Sequence, residues 1–175
     1  MSIKVDLGEY LTDVFVETGT GRGGNIIKAI RAGFADIHGI ETSPQLHADT
    51  HEQVGREMGR FPSRSNIMLY CGPSTAGLEQ VCSVVHHKRV TFLLGGRDEE
   101  ATRPRLDELG IIRRWFQDTL IPPIIMMGGI RQGPPSLNAI LDALLNLNDE
   151  YQFRVLDDEA PRNVLVALPP TWTCV

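Results

Sequence analysis

Asp13-Val14-Phe15-Val16-Glu17-Thr18-Gly19-Thr20-Gly21-Arg22-Gly23-Gly24 is the stretch from which the rest of the chain is read. Val14 to Val16 run β-branched and aromatic side chains together, the composition of a short buried strand. Gly19, Gly21 and Gly24 follow at the G-x-G-x-x-G spacing of a nucleotide-binding turn. Asn25-Ile26-Ile27-Lys28-Ala29-Ile30-Arg31-Ala32 then runs at helical period and stops at Gly33. Glycines let the backbone turn tightly and let a ligand come close to it. The helix behind them aims free N–H groups and the positive end of its dipole at that ligand. Ala35 to Glu41 reads as the next strand. It ends on an acid, Glu41, 22 positions beyond Gly19, a place from which a carboxylate can bind both hydroxyls of a ribose.

Glu17 separates two kinds of nucleotide site. It stands two residues before the first glycine, at the end of an otherwise apolar strand. A dinucleotide site prefers an apolar residue there, under the pyrophosphate turn. A buried carboxylate needs a cationic partner. The ammonium group of S-adenosylmethionine is one such partner; a lysine or arginine of the protein is the other. On these residues the stretch resembles the first motif of class I S-adenosylmethionine-dependent methyltransferases. The run Phe15-Val16-Glu17-Thr18-Gly19-Thr20 is similar to that of a bacterial and phage branch of the superfamily. The resemblance implies S-adenosylmethionine as cofactor, with Glu17 at its ammonium, Glu41 at its ribose, and the backbone of Gly19, Thr20 and Gly21 along its methionine moiety. Ser74, in the turn after the third strand, joins the implied cofactor-binding set.

The departures from the family pattern carry equal information. After the third strand the family usually places an acid that holds the adenine amino group; this chain has Pro73. After the fourth the branch carries an acid, and this chain has Gly95-Gly96-Arg97. After the fifth it carries two acids, and this chain has Gly128-Gly129 before Ile130 and Arg131. Glycines offer only backbone to a divalent cation, so no metal is expected at these strand ends. No catalytic residue is singled out. Direct methyl transfer still needs mainly alignment, because the sulfonium is already activated. Arg97 and Arg131 follow the double glycines and suit an anionic acceptor, a carboxylate or phosphate. The competing reading of each arginine is a surface ion pair, such as Arg97 with Asp98.

At 175 residues the chain reads as a single domain, residues 1–175, with ordinary hydrophobic (42%) and charged (22%) content. Its net charge of −5 speaks against a nonspecific nucleic-acid or anionic-membrane binder. No apolar signal-peptide core follows Met1, and the longest apolar run, Leu120 to Ile130, is too short to span a bilayer. Cys71, Cys82 and Cys174 have no metal spacing and cannot all pair, which suits reduced thiols in a cytoplasm. Cys71 and Cys82 are expected to be buried.

The remaining sequence alternates strands and helices. Ser43 and Pro44 open a largely polar helix to about Met58, expected on the surface. Strands follow at Asn66 to Cys71, Val90 to Leu94 and Pro123 to Met127, with helices between them. Ser136 caps a leucine-rich helix. Tyr151 to Leu156 and Asn163 to Leu168 are joined by a short polar turn, which forces them antiparallel. Repeated strand–helix units imply parallel strands with helices on both faces. The fold class is therefore an α/β three-layer sandwich: a Rossmann-like, mostly parallel seven-stranded sheet with a C-terminal antiparallel hairpin.

His47 and His51 lie four apart on one helical face, but Ala48 stands where a zinc peptidase helix has its glutamate, so a solvated face is expected. The function expected is methyl transfer from S-adenosylmethionine to a small molecule, in a protein able to form a homo-oligomer. Three rivals stay open. One is a noncatalytic descendant that keeps the nucleotide site, one a NAD-dependent oxidoreductase, and one an assembly protein that keeps only the fold.

Overall fold

The computed structural model describes residues 3–60, 63–95, 104–129, 136–158, 162–170 and 172. Strand β1 (Val14–Thr18) lies in the middle of a seven-stranded sheet, flanked by β2 (Asp36–Glu41) and β4 (Val90–Leu94). The full order is β3-β2-β1-β4-β5-β7-β6, with β3 (Asn66–Cys71), β5 (Ile124–Gly128), β6 (Gln152–Asp158) and β7 (Arg162–Leu168). The first five strands pair in parallel. β7 inserts antiparallel between β5 and β6. The expected fold class is the one observed.

Strand alternation sends successive side chains to opposite faces. Val14 and Val16 join a core with Leu78, Val81, Leu109, Ile112, Ile140 and Leu144. These come from α3 (Ser74–Val85), α4 (Pro104–Phe116) and α5 (Leu137–Leu145). Phe15 joins a second core with Ile26, Ala29 and Ile30 of α1 (Gly24–Ala32) and Val54 of α2 (Pro44–Arg60). The β1 strand runs two residues further than its apolar run, so Glu17 and Thr18 are strand residues with opposite facings. A single strand end therefore sends one polar side chain into each helical layer.

Residues 3–10 form a strap over α1. Its 3-10 turn, Leu7–Tyr10, is capped by the Asp6 side chain, which accepts from Gly8 N–H. Ile3, Leu7 and Tyr10 are buried in the α1-side core. α1 stops at Gly33, whose φ of 93° suits glycine and lets its N–H reach the Ala29 and Ile30 carbonyls. Trp172 packs against the same core.

Two expectations need correction. Cys82 is buried, but Cys71 is exposed, because β3 is an edge strand and Cys71 is its last residue. α2 does carry a polar exposed face, yet it also buries Thr50, Val54 and Glu57. The Glu57 carboxylate is held by Arg31 of α1, with Nε to Oε1 at 2.6 Å and Nη2 to Oε2 at 3.0 Å. No helix among the described residues is long and apolar enough to cross a membrane.

Candidate functional site

The turn after β1 is built for glycine. Gly19, Gly21 and Gly23 have φ of 70°, 58° and 79°, where a side chain would be strained. Gly24, the third glycine of the spacing motif, is instead the first residue of α1. The turn is folded onto β2. Gly19 N–H and Thr20 N–H both donate to the Ile40 carbonyl, at 2.8 and 3.3 Å. Gly21 N–H donates to Glu41 Oε2 at 2.7 Å, and Ser43 N–H to Glu41 Oε1 at 3.0 Å. Glu41 thus lies at the turn, as its spacing indicated, and its carboxylate also builds the turn.

α2 closes the turn from the other side. The Thr50 hydroxyl donates to the Gly21 carbonyl at 3.0 Å and lies 3.4 Å from the Thr20 hydroxyl. A Cβ on Gly23 would come within 2.9 Å of the Thr50 methyl. Neither contact was foreseen from sequence, where Thr50 is one polar residue in a polar helix.

Glu17 lies beneath the turn and is 1% exposed. Asn25 Nδ2 donates to its Oε1 at 2.6 Å. Its Oε2 is buried without a hydrogen-bond partner among the described residues. Burial pushes this carboxyl up to about 8; the Asn25 hydrogen bond acts the other way, and the charge of Glu41 adds to the rise. Among the described residues no lysine or arginine pairs with Glu17. A buried carboxyl with one bare oxygen, whose charge burial disfavours until a counter-charge arrives, fits a cationic ligand.

The opposite face of the β1 end holds a second buried carboxyl that the sequence did not reveal. Glu108, in the second turn of α4, is 4% exposed. Burial raises its pKa, and the hydroxyls of Ser74 and Thr18 pull it back, with a smaller contribution from Arg105. Thr18 Oγ1 is buried and has no partner of good hydrogen-bond geometry among the described residues. Ser74, the first residue of α3, is thereby placed beside Glu108. One turn earlier, Arg105 Nη2 donates to the Gly128 carbonyl at 2.8 Å and Nη1 to the Gly129 carbonyl at 3.5 Å. The ionic groups missing from the strand ends are thus supplied by a helix.

The glycines at those ends divide by cause. Gly129 has φ of 69° and needs glycine for conformation. Gly95 and Gly128 do not. Among the described residues, a Cβ on Gly95 would meet only the Thr18 carbonyl, at 3.8 Å, and one on Gly128 would meet nothing within 4 Å. Arg97 and Arg131, with Gly96, Asp98 and Ile130, lie outside the described residues. No group of three or more metal-ligating side chains occurs among the described residues. His47 and His51 pack edge to face, with ring centroids 4.7 Å apart.

No protein-family model and no curated protein sequence matches the chain. Solved structures do. The precorrin-6y C5,15-methyltransferase of Geobacter metallireducens superposes with a TM-score of 0.63 at 15% identity, over 89% of this chain and 78% of that one. The O-methyltransferase of Bacillus cereus, in complex with SAH, gives a TM-score of 0.64 at 11% identity, over 95% and 82%. An rRNA methylase of Streptococcus thermophilus gives 0.61 at 16% identity, over 97% and 99%.

The chain has the class I S-adenosylmethionine-dependent methyltransferase fold. The likeness spans nearly the whole chain while fewer than one residue in five is shared, so it is a likeness of architecture. Within this methyltransferase fold the β1 turn, Glu17 and Glu41 fall together at the carboxyl ends of β1 and β2, the side of an open parallel sheet where ligands bind.

Proposed function

We propose that this protein binds S-adenosylmethionine at the carboxyl ends of β1 and β2 and transfers its methyl group to a small-molecule acceptor. The observation that carries the reading is Glu17: a fully buried carboxyl with one oxygen satisfied and the other bare. Glu17 would hold the ammonium of the methionine moiety. Glu41 keeps lone pairs free beside its two backbone donors and would hold the ribose hydroxyls. Gly19, Thr20 and Gly21 would pass along the methionine chain, and Ser74 would line the cofactor pocket from the start of α3. When bound, the cofactor supplies a methyl group already activated on a sulfonium.

The same geometry disfavours a dinucleotide. A pyrophosphate wants free backbone N–H donors in the glycine turn. Here those of Gly19, Thr20 and Gly21 are bonded to Ile40 and Glu41. The buried acid below offers a phosphate no positive charge and, once ionised, would repel it. An oxidoreductase using NAD is therefore the weaker reading.

On the acceptor side, Arg97 and Arg131 would favour an anionic group, and Glu108 gives this edge of the sheet a carboxyl. The net charge of −5 favours a small molecule over nucleic acid, although one structural neighbour is an rRNA methylase. We read residues 1–175 as one methyltransferase-like domain of the branch whose first motif is F-V-E-T-G-T, working in a cytoplasm. The glycines at 95, 128 and 129, where acids would stand, also support a second reading, a binder that no longer transfers methyl groups.

Titration calorimetry with S-adenosylhomocysteine and with NAD tests the site. The homologous cofactor product should bind and NAD should not. Glu41→Ala should weaken binding by about 1–3 kcal/mol. Binding of NAD alone would overturn the reading. A methyl-transfer screen over small carboxylates and phosphates separates enzyme from binder.

A further inference from the structure

The strap over α1 is hydrogen-bonded into the site. Ile3 N–H donates to Asn25 Oδ1 at 2.9 Å, and Asn25 Nδ2 donates to Glu17 Oε1 at 2.6 Å. Lys28 Nζ, one turn along α1, donates to the Ile3 carbonyl. Asn25 is 2% exposed and Ile3 5%, so this chain of bonds runs through a buried interface with little room for water.

An amide side chain has two unlike ends. Turned with its oxygen towards an ionised Glu17, the form that holds a cation, Asn25 would set acceptor against acceptor and leave the carboxylate without a donor. The Ile3 N–H removes the choice. It engages Oδ1 from the side away from Glu17, which directs the NH₂ group onto Oε1 and leaves Oε2 as the bare oxygen.

We infer that Asn25, oriented by the backbone N–H of Ile3, is a positioning residue for the cofactor's ammonium site. The inference rests on the reading of Glu17 as that site. It adds that the N-terminal strap is part of the binding machinery. With the strap in place, Glu17 is held at one oxygen and presents the other. With the strap loosened, the amide loses the N–H that directs its oxygen away from Glu17, and the donor at Glu17 Oε1 is no longer fixed by it.

The test compares two probes on full-length variants that circular dichroism finds folded. S-adenosylhomocysteine carries the amino-acid group. 5′-Methylthioadenosine carries the adenosine and sulfur without it. Ile3→Pro removes the N–H and keeps an apolar residue. Asn25→Leu removes the amide. Ile3→Val keeps the N–H and trims one methylene. By calorimetry, Ile3→Pro and Asn25→Leu should weaken S-adenosylhomocysteine about tenfold or more, the scale of a lost hydrogen bond to a charged group. Both should leave methylthioadenosine within about twofold, and Ile3→Val should bind both like the wild type. Lys28→Met, which releases the strap at its other tether, should give a smaller loss of the same kind and stands in if Ile3→Pro does not fold. Equal losses for the two probes, or no loss for either, would overturn the inference. Wild-type protein that binds neither probe would instead overturn the cofactor reading on which it rests.

Discussion

The Thr50 hydroxyl donates to the Gly21 carbonyl at 3.0 Å, and the methyl on the same carbon fills the place that a side chain at Gly23 would need. One threonine thus holds the glycine turn by both of its branches. Thr50→Val keeps the shape and leaves the half-buried carbonyl without this donor, which should cost about 1 kcal/mol. Thr50→Ser keeps the bond and loses a buried methyl, near 1 kcal/mol. Urea unfolding of the two variants ranks the branches; a Val variant as stable as wild type would show the bond to be idle.

Gly23→Ala meets two costs at once, a left-handed φ of 79° and a contact at 2.9 Å with Thr50. The first alone is worth about 1–2 kcal/mol. The double variant Gly23→Ala with Thr50→Ala should recover part of the loss, since it removes the methyl in the way. Thermal or urea denaturation of the cycle checks this. Strict additivity would place the strain in the backbone alone.

Glu17 makes stability depend on pH with a definite sign. Its pKa is about 8 in the folded protein, against an ordinary glutamate value of about 4.3 unfolded. Between those values the folded state holds a proton that the unfolded state has released. Stability therefore falls as pH rises from about 5 to 8, at up to about 1.4 kcal/mol per unit from this one group, and levels off above. Glu108, raised by burial, acts in the same direction. Urea unfolding at a series of pH values should show a shallower fall in Glu17→Gln. An unchanged slope would mean that Glu17 is ionised in the empty site.

Ligand binding should reverse that dependence. A cationic ligand needs Glu17 without its proton, so S-adenosylhomocysteine should bind more tightly as pH rises from 6 towards 8. Above about pH 8 the ligand's own ammonium, of ordinary α-amino pKa, begins to deprotonate and affinity should fall again. Calorimetry in phosphate and Tris at pH 7 should register close to one proton released per ligand bound. No proton released would remove the ammonium from Glu17.

Arg105 ties α4 to the end of β5 through the Gly128 and Gly129 carbonyls. Arg105→Met should cost about 1.5–3 kcal/mol, the scale of hydrogen bonds from a charged group. Arg105→Lys should recover only part, because an ammonium lacks the planar fork that spans two acceptors. A lysine variant equal to wild type in urea unfolding would mean that one carbonyl suffices.

The central strands β1, β4 and β5 were legible because their apolar runs are nearly continuous. Val90 to Leu94 is buried on both faces, and the sequence bounds match the structure. Glu17 and Glu41 were legible because each stands at a fixed offset from the glycine turn. Thr50, Arg105 and Glu108 were not, since each sits on a helix among polar neighbours. Their roles arise only when α2 and α4 pack against strand ends distant in sequence. Gly39 was equally silent: a Cβ there would come within 2.8 Å of Leu69 and of Thr20, a constraint set by the β2–β3 pairing and the turn above it. The exposure of Cys71 followed from strand order, which a local pattern does not carry.

The position of β7 has a consequence for how this protein is made. Among the described residues it is the last strand in sequence but an interior one in the sheet, with Val164, Val166 and Ala167 almost wholly buried between β5 and β6. A chain emerging from a ribosome can dock β1 to β5 as they appear. The far edge of β5 then stays unpaired until residues near 168 are out, and β6, already synthesised, has no neighbour to join. Until then the nascent protein carries an open parallel sheet with an exposed apolar strand, a form prone to pair with a second chain. The final hairpin is what ends that exposure.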